Sequence, residues 1–170
     1  CAPGTIVKEV SNVERMLISG VAKDTDIARI SVVGVPDEPG LAFKMFSKLA
    51  AKDVNIDIIL QSIGRDGTKD IAFTCAKDKL NDAKEVINAF MPTLKAQKVV
   101  YDEDVAKVSI VGAGMESHSG FASKMFEALY NANINIQMIS TSEIKISVLI
   151  NTADADRAVA ALHAKFFDEH

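Results

Sequence analysis

The chain has 170 residues, 48 % of them hydrophobic and 25 % charged, with no Trp and a net charge of −4. That composition suits one ordinary globular domain or two small ones, with a core of Val, Ile, Leu, Met and Ala. It offers no basic face for a nucleic acid, and no apolar run approaches the ~20 residues of a membrane-spanning helix.

The N-terminus shows no basic region followed by an apolar stretch, so no signal peptide is expected. Residue 1 is Cys rather than Met, and the chain is expected to be a fragment or a processed product. Cys1 and Cys75 are two isolated thiols, too few for a disulfide framework or a zinc site, which fits a reducing cytoplasm. Residues 1–26 read as an N-terminal segment in which Met16-Leu17-Ile18-Ser19-Gly20-Val21 has the makings of a strand.

A first module is expected over 27–102. Residues 28–35 form a continuous β-branched run, the pattern of a buried strand. Pro36, Pro39 and Gly40 break it. Leu41, Met45 and Leu49 then recur every fourth residue, with Ala42 and Phe46 beside them, as on one face of a helix. Strands follow over 54–61 and 70–76, joined by the hairpin loop Gly64-Arg65-Asp66-Gly67. Asp78 is placed to cap a helix carrying Leu80, Ala83, Ile87 and Phe90, which Pro92 should stop. A fourth strand is expected over 97–101. The order βαββαβ is that of a ferredoxin-like unit with an antiparallel sheet, an α+β fold.

The pattern then repeats, and a second module is expected over 103–170. Val108-Ser109-Ile110-Val111-Gly112 matches Ile30-Ser31-Val32-Val33-Gly34 at an offset of 78. Gly120, Met125, Phe126 and Leu129 match Gly40, Met45, Phe46 and Leu49 at an offset of 80, the second loop being longer by two residues. Strands are expected at 106–111, 134–140 and 144–150, and helices over 119–131 and along Ala155, Val159, Leu162 and Phe166. The second copy is one strand short. Residues 16–21, the strand at 97–101, a partner chain or a further C-terminal strand could each fill the open edge.

Several polar groups stand where a ligand could use them. The loop Pro36-Asp37-Glu38-Pro39-Gly40 precedes a helix N-terminus, whose free N–H groups suit a carboxylate or phosphate. Asn55 and Asn135 begin the second strand of each copy and offer both a donor and an acceptor; a turn residue bonding its own backbone is the bland alternative. Asp57 and Gln137 alternate with apolar neighbours, and Asp57 could meet an ammonium or simply face water. Ser140-Thr141-Ser142-Glu143 is a polar turn or a hydroxyl-bearing edge. Gly112-Ala113-Gly114 opens like a dinucleotide-binding loop, but Ser117 stands where the third glycine is needed and Gln137 where the acid is needed. Ser117 and His118 have no orienting third group for a hydrolytic triad, and His118 has no metal-spaced partner.

Gly34-Val35-Pro36-Asp37-Glu38-Pro39-Gly40, Val54-Asn55-Ile56-Asp57-Ile58-Ile59-Leu60-Gln61 and Asp70-Ile71-Ala72-Phe73-Thr74 resemble the first ACT module of aspartokinases. Lys107 to Met115, Asn135-Ile136 and the run Ile139 to Ile150 resemble the second. The resemblance implies two ferredoxin-like modules, completed or extended by dimerisation. It implies the regulatory segment of an enzyme that phosphorylates the side-chain carboxylate of aspartate with ATP, on the way to lysine, threonine and methionine. ATP and Mg would belong to a kinase domain that this chain lacks, so no cofactor and no intrinsic kinase activity are expected here, and the chain should be cytoplasmic. The expected partners are a free amino acid, lysine or threonine, a second copy of the chain, and the catalytic domain or subunit.

By the same resemblance the effector would lie between one module and its counterpart. Asp37, Gly40, Leu41 and Ala42 would hold its charged end groups, with Ile56, Asp57 and Gln61. Asn135, Ile136, Thr141 and Ser142 would face them. Met115, His118 and Gly120 would form the matching second site. A module that only assembles subunits, with no effector of its own, is the alternative.

Overall fold

The computed structural model describes residues 18–113, 115 and 120–168. They fall into two compact units, one over Asp26–Val105 and one joining the residues up to Thr25 to those from Ala106 onward.

In the first unit β2 (Ile27–Pro36) leads through a short loop into α1 (Leu41–Ala51). The edge strand β3 (Ile59–Gln61) and β4 (Thr68–Ala76) follow, then α2 (Leu80–Leu94) and β5 (Lys98–Asp102). The sheet runs β3-β4-β2-β5, with each neighbouring pair antiparallel. Alternation decides which face is covered. Ile30 and Val32 of β2 lie opposite Phe73 and Ile71 of β4, and all four are buried beneath the helices. The helices answer with Leu41, Met45 and Leu49 from α1 and Leu80, Ala83, Ile87, Phe90 and Leu94 from α2. Phe46 meets Phe73 edge-on at 5.3 Å. Burying each large side chain of this kind contributes roughly 1.5–3 kcal/mol.

Three local expectations are corrected. Strand 54–61 is a regular strand only at Ile59–Gln61, with irregular backbone bonds linking Asp57 and Ile58, ahead of it, to Thr74. Val54 and Ile56 turn into the core, and Ile58 donates its N–H to the Thr74 hydroxyl at 3.1 Å, a side chain standing in for a ladder carbonyl. Asp78 does not cap a helix. A 3₁₀ turn, Lys77–Lys79, runs straight into α2, so Asp78 lies within the first turn, where a negative charge suits the helix dipole. Pro92 lies inside α2 rather than stopping it. The last turn tolerates the missing N–H, and the helix ends at Lys95, whose φ of 54° turns the chain and whose N–H closes on the Met91 carbonyl.

The second unit contains β1 (Ile18–Asp24), β6 (Val105–Gly112), α3 (Gly120–Asn131), β7 (Met138–Thr141), β8 (Lys145–Asn151), α4 (Ala155–His163) and a π-helical turn, Ala164–Asp168. Its sheet runs β1-β6-β8-β7. The open edge of the second copy is filled by β1, antiparallel to β6, in the place that β5 holds beside β2. Ile18 is buried in this unit's core with Val108, Ile110, Met125 and Leu129. Strand β5 pairs with β2 and so belongs to the first unit. No helix among the described residues is long and apolar enough to cross a membrane.

Candidate functional site

In the first unit the loop between β2 and α1 is shaped by two positive-φ glycines. Val33 and Gly34 bulge opposite Asp70, because Val32 pairs with Ile71 and Val35 with Lys69. The Asp70 carboxylate accepts the Gly34 N–H at 2.9 Å and holds the bulge in place. Beyond Pro36 the chain is tied to the β3–β4 hairpin. Asp37 donates its N–H to the Gly67 carbonyl at 2.8 Å, and its carboxylate lies 3.3 Å from Lys69 Nζ. Gly40 then enters α1 with φ 90°.

That entry leaves a helix end with no side-chain cap. The first-turn N–H groups of Leu41, Ala42 and Phe43 have no acceptor within the helix, as geometry requires. The Leu41 side chain is buried, so what Leu41 offers outward is its N–H. A Cβ built on Gly40 meets nothing within 4 Å, so the approach to these donors is open among the described residues. The arrangement suits an anionic group such as an α-carboxylate. Gln61 is exposed at the end of β3, and that end of the sheet is also where β2 finishes and β4 begins. Sequence-chosen residues 37, 40, 41, 42 and 61 are thus gathered at one end of one sheet.

Others are placed differently. The Ile56 side chain packs on the core. Asp57 is exposed on the same segment, and its N–H bonds the Thr74 carbonyl. The edge beside them is apolar: Ile59, Leu60 and Ile63 are 50 %, 39 % and 96 % exposed.

In the second unit Asn135 is exposed and borders a shallow hollow of about 210 Å³ with Tyr130, Asn133 and Ile134. Ile136 packs on the core. Thr141 and Ser142 lie at the opposite end of β7 from Asn135. Thr141 is exposed, while the Ser142 hydroxyl closes its own turn, 3.4 Å from both the Lys145 carbonyl and the Ile144 N–H. Met115 is buried in the core and donates its N–H to the Glu143 carbonyl at 3.0 Å, so it clasps the β7–β8 turn. Gly120 begins α3 and is exposed. His118, with Ser117 and Gly114, lies outside the described residues. The dinucleotide reading of Gly112-Ala113-Gly114 fails on topology: β6 has β1 and β8 as neighbours, not the next strand β7 that a parallel crossover would bring beside it. Cys75 is not placed as a reactive thiol, because burial pushes its pKa up, with Asp78 adding to the shift.

Two features of this geometry were missed in the sequence: the bulge held by Asp70, and the exposed apolar edge at Ile59, Leu60 and Ile63. The first had a signal in Gly34, whose counterpart Gly112 stands at the same place in the repeat.

The ACT domain family matches twice, over residues 30–90 and 108–166. The chain is similar to an aspartate kinase of Stutzerimonas stutzeri, with 46 % identity over 166 residues, 96 % of this chain and 40 % of that protein. It therefore spans about 40 % of the length of that curated relative. Among solved structures it is similar to the ligand-free regulatory subunit of aspartate kinase from Thermus thermophilus, with 38 % identity and a TM-score of 0.84 over 88 % of this chain and 99 % of that one. It is also similar to a chain in a structure of aspartokinase alpha and beta subunits, with 41 % identity and a TM-score of 0.81 over 88 % of this chain and 98 % of that one.

Proposed function

We propose a function from the premise that this chain belongs to the ACT domain family as the regulatory region of an aspartokinase: it senses a free end-product amino acid, lysine or threonine, and so inhibits the enzyme that opens their synthesis. The observation that carries the reading is the uncapped N-terminus of α1 behind Gly40. The N–H groups of Leu41 and Ala42 would take the α-carboxylate. The Gln61 amide oxygen would accept from the α-ammonium. Asp37 would act indirectly, by pinning the loop to Lys69 and the hairpin. Asn135, the Ile136 backbone and Thr141-Ser142 would be supplied by a counterpart module, and Asp57 would serve best if the effector carries a second ammonium. Met115 and Gly120 mark the equivalent loop of the other repeat, with Met115 holding it from the core.

Hydrogen bonds to a charged group contribute roughly 1.5–3 kcal/mol each, and a site built on them rejects analogues that lack either charge. An effector that binds one arrangement of the assembly better shifts the population toward it; a coupling of about 1–3 kcal/mol changes affinity roughly 5–150-fold. The chain would act in the cytoplasm as a homodimer joined to a catalytic part that holds ATP and Mg. A second reading, an assembly module without an effector, has its own support in the apolar edge at Ile59, Leu60 and Ile63.

Calorimetric titration with lysine, threonine and methionine, with mass measured by sedimentation in parallel, separates the two. Saturable binding of lysine or threonine is expected. Dimerisation with no heat from any of the three would leave assembly as the function.

A further inference from the structure

The two helices of each module leave a groove at the same place. In the first unit it measures about 450 Å³ and is lined by Lys48 and Ala51 of α1, by Lys52 just past its end, and by Val86, Ala89 and Phe90 of α2. In the second it measures about 260 Å³. Ala128 and Asn131 of α3, and Ala132 just past its end, stand at the repeat offset of 80 from Lys48, Ala51 and Lys52. The groove is therefore a product of the fold, and the difference between its two copies is one of chemistry. At these positions one copy carries two lysines where the other carries two alanines, and it has nearly twice the volume; the second copy's lining does hold Lys165, but that lysine lies 3.5 Å from the Glu127 carboxylate.

The lysines continue a row. Lys44, Lys48 and Lys52 recur every fourth residue and are all exposed. At 1.5 Å per residue they span about 12 Å along the helix edge. Helix α1 contains no acidic residue, so nothing within it offsets the repulsion between neighbouring lysines. None of the three has an ion-pair partner among the described residues. The helix dipole accounts for lysines at the C-terminal end of α1 but disfavours Lys44 near its start. Lys48 Nζ lies 5.5 Å from the centroid of the Phe90 ring, which ties the charge row to the apolar floor. Glu85 is the one acid on the groove's lining, on the α2 side.

We infer that this groove is a docking site for an acidic amphipathic helix. Such a helix would present carboxylates every fourth residue to Lys44, Lys48 and Lys52 and place an apolar side chain over Ala51, Ala89 and Phe90. Charge complementarity selects the occupant. A small dicarboxylate would reach two lysines at most, whereas a helix matches the spacing and length of the whole row. This site is separate from the amino-acid site and does not depend on it.

The test titrates the isotope-labelled chain with a stapled helical peptide of about 15 residues bearing Glu at every fourth position beside a Leu row. Amide shifts confined to α1 and α2 around the groove are expected. Lys48→Glu with Lys52→Glu should weaken binding at least about tenfold, and raised salt should weaken it too. Ala89→Trp, which fills the groove without changing charge, should also abolish binding; Ala89 is exposed, so the fold should persist, as a thermal melt would check. Equal binding of a scrambled peptide of the same composition would reduce the site to unspecific attraction and overturn the inference. So would binding indifferent to Ala89→Trp, or glutarate competing at the same residues. A lysine or threonine titration of each variant is expected to be unchanged, which keeps a failure here distinct from a failure of effector sensing.

Discussion

Gly34 and Gly40 stand six residues apart with φ of 71° and 90°, yet their surroundings assign them different tasks. A Cβ on Gly34 would lie 2.5 Å from the Gln97 side chain, 2.9 Å from its Cβ, and in a left-handed conformation besides. A Cβ on Gly40 would meet nothing. Gly34→Ala should therefore destabilise the first unit by about 2–4 kcal/mol, combining backbone strain with overpacking, and lower the midpoint of urea unfolding. Gly40→Ala carries the strain alone, about 1 kcal/mol, because the open space absorbs the methyl group. Its larger effect should fall on the proposed effector: a methyl group at the mouth of the uncapped helix should weaken amino-acid binding by about tenfold, with a near-native unfolding midpoint. A binding constant unmoved by Gly40→Ala would remove the α1 N-terminus from the site. The sequence marks both glycines by repetition, but nothing in it says which is crowded, because Gln97 reaches Gly34 from 63 residues away (97 − 34).

At the scale of elements, β1 is held to β6 by its ladder and to α4 by one ion pair, Lys23 Nζ to Asp156 Oδ1 at 2.7 Å. The hydrogen bond from Lys23, then its charge, holds the Asp156 carboxyl below the ordinary carboxylate range. The folded pKa is thus lower than the unfolded one. The tie is present above the unfolded carboxylate value and is lost as pH falls through the folded value. Asp156 is almost fully exposed, so salt should weaken the tie. Lys23→Ala should return the Asp156 titration, followed by carboxyl NMR, to the ordinary range; an unchanged titration would show that the pair does not hold in solution. Most elements could be read beforehand, since helix faces such as Leu41, Met45 and Leu49 depend on local periodicity. Three points could not, each for a tertiary reason. At 57–58 the regular ladder is broken because Thr74 takes the Asp57 N–H on its carbonyl and the Ile58 N–H on its hydroxyl, Pro92 is carried by a helix already packed through Phe90 and Leu94, and Asp78 is overtaken by the 3₁₀ turn. The candidate site was legible where motif and helix start coincide, at residues 37–42. It was less so at Ile56, Ile136 and Met115, whose side chains the core claims.

At the scale of the whole chain, the two repeats are not equal as folding units. The first is continuous, from Asp26 to Val105, and holds all four of its strands. The second draws its outer strand from ahead of the first, so one module is inserted within the other along the chain. The sequence left that strand open among four sources because sheet pairing across so long an interval has no local signature. The consequence is asymmetric. A fragment of residues 26–105 should fold alone, with dispersed amide resonances and a cooperative melt. A fragment of residues 106–168 loses β1, one of the two neighbours of β6, with its buried Ile18 side chain, and exposes an unpaired edge. Losing Ile18 alone removes roughly 2–3 kcal/mol of burial, a large share of what a domain of this size has to spare. That fragment should give collapsed resonances or aggregate. Grafting residues 18–25 behind residue 168 through a flexible linker should restore its fold, because the strand following α2 in the first unit, β5, occupies the corresponding sheet position from that direction. If residues 106–168 fold cooperatively without β1, the strand is an accessory to that sheet, and the chain carries two independent modules rather than one nested in the other.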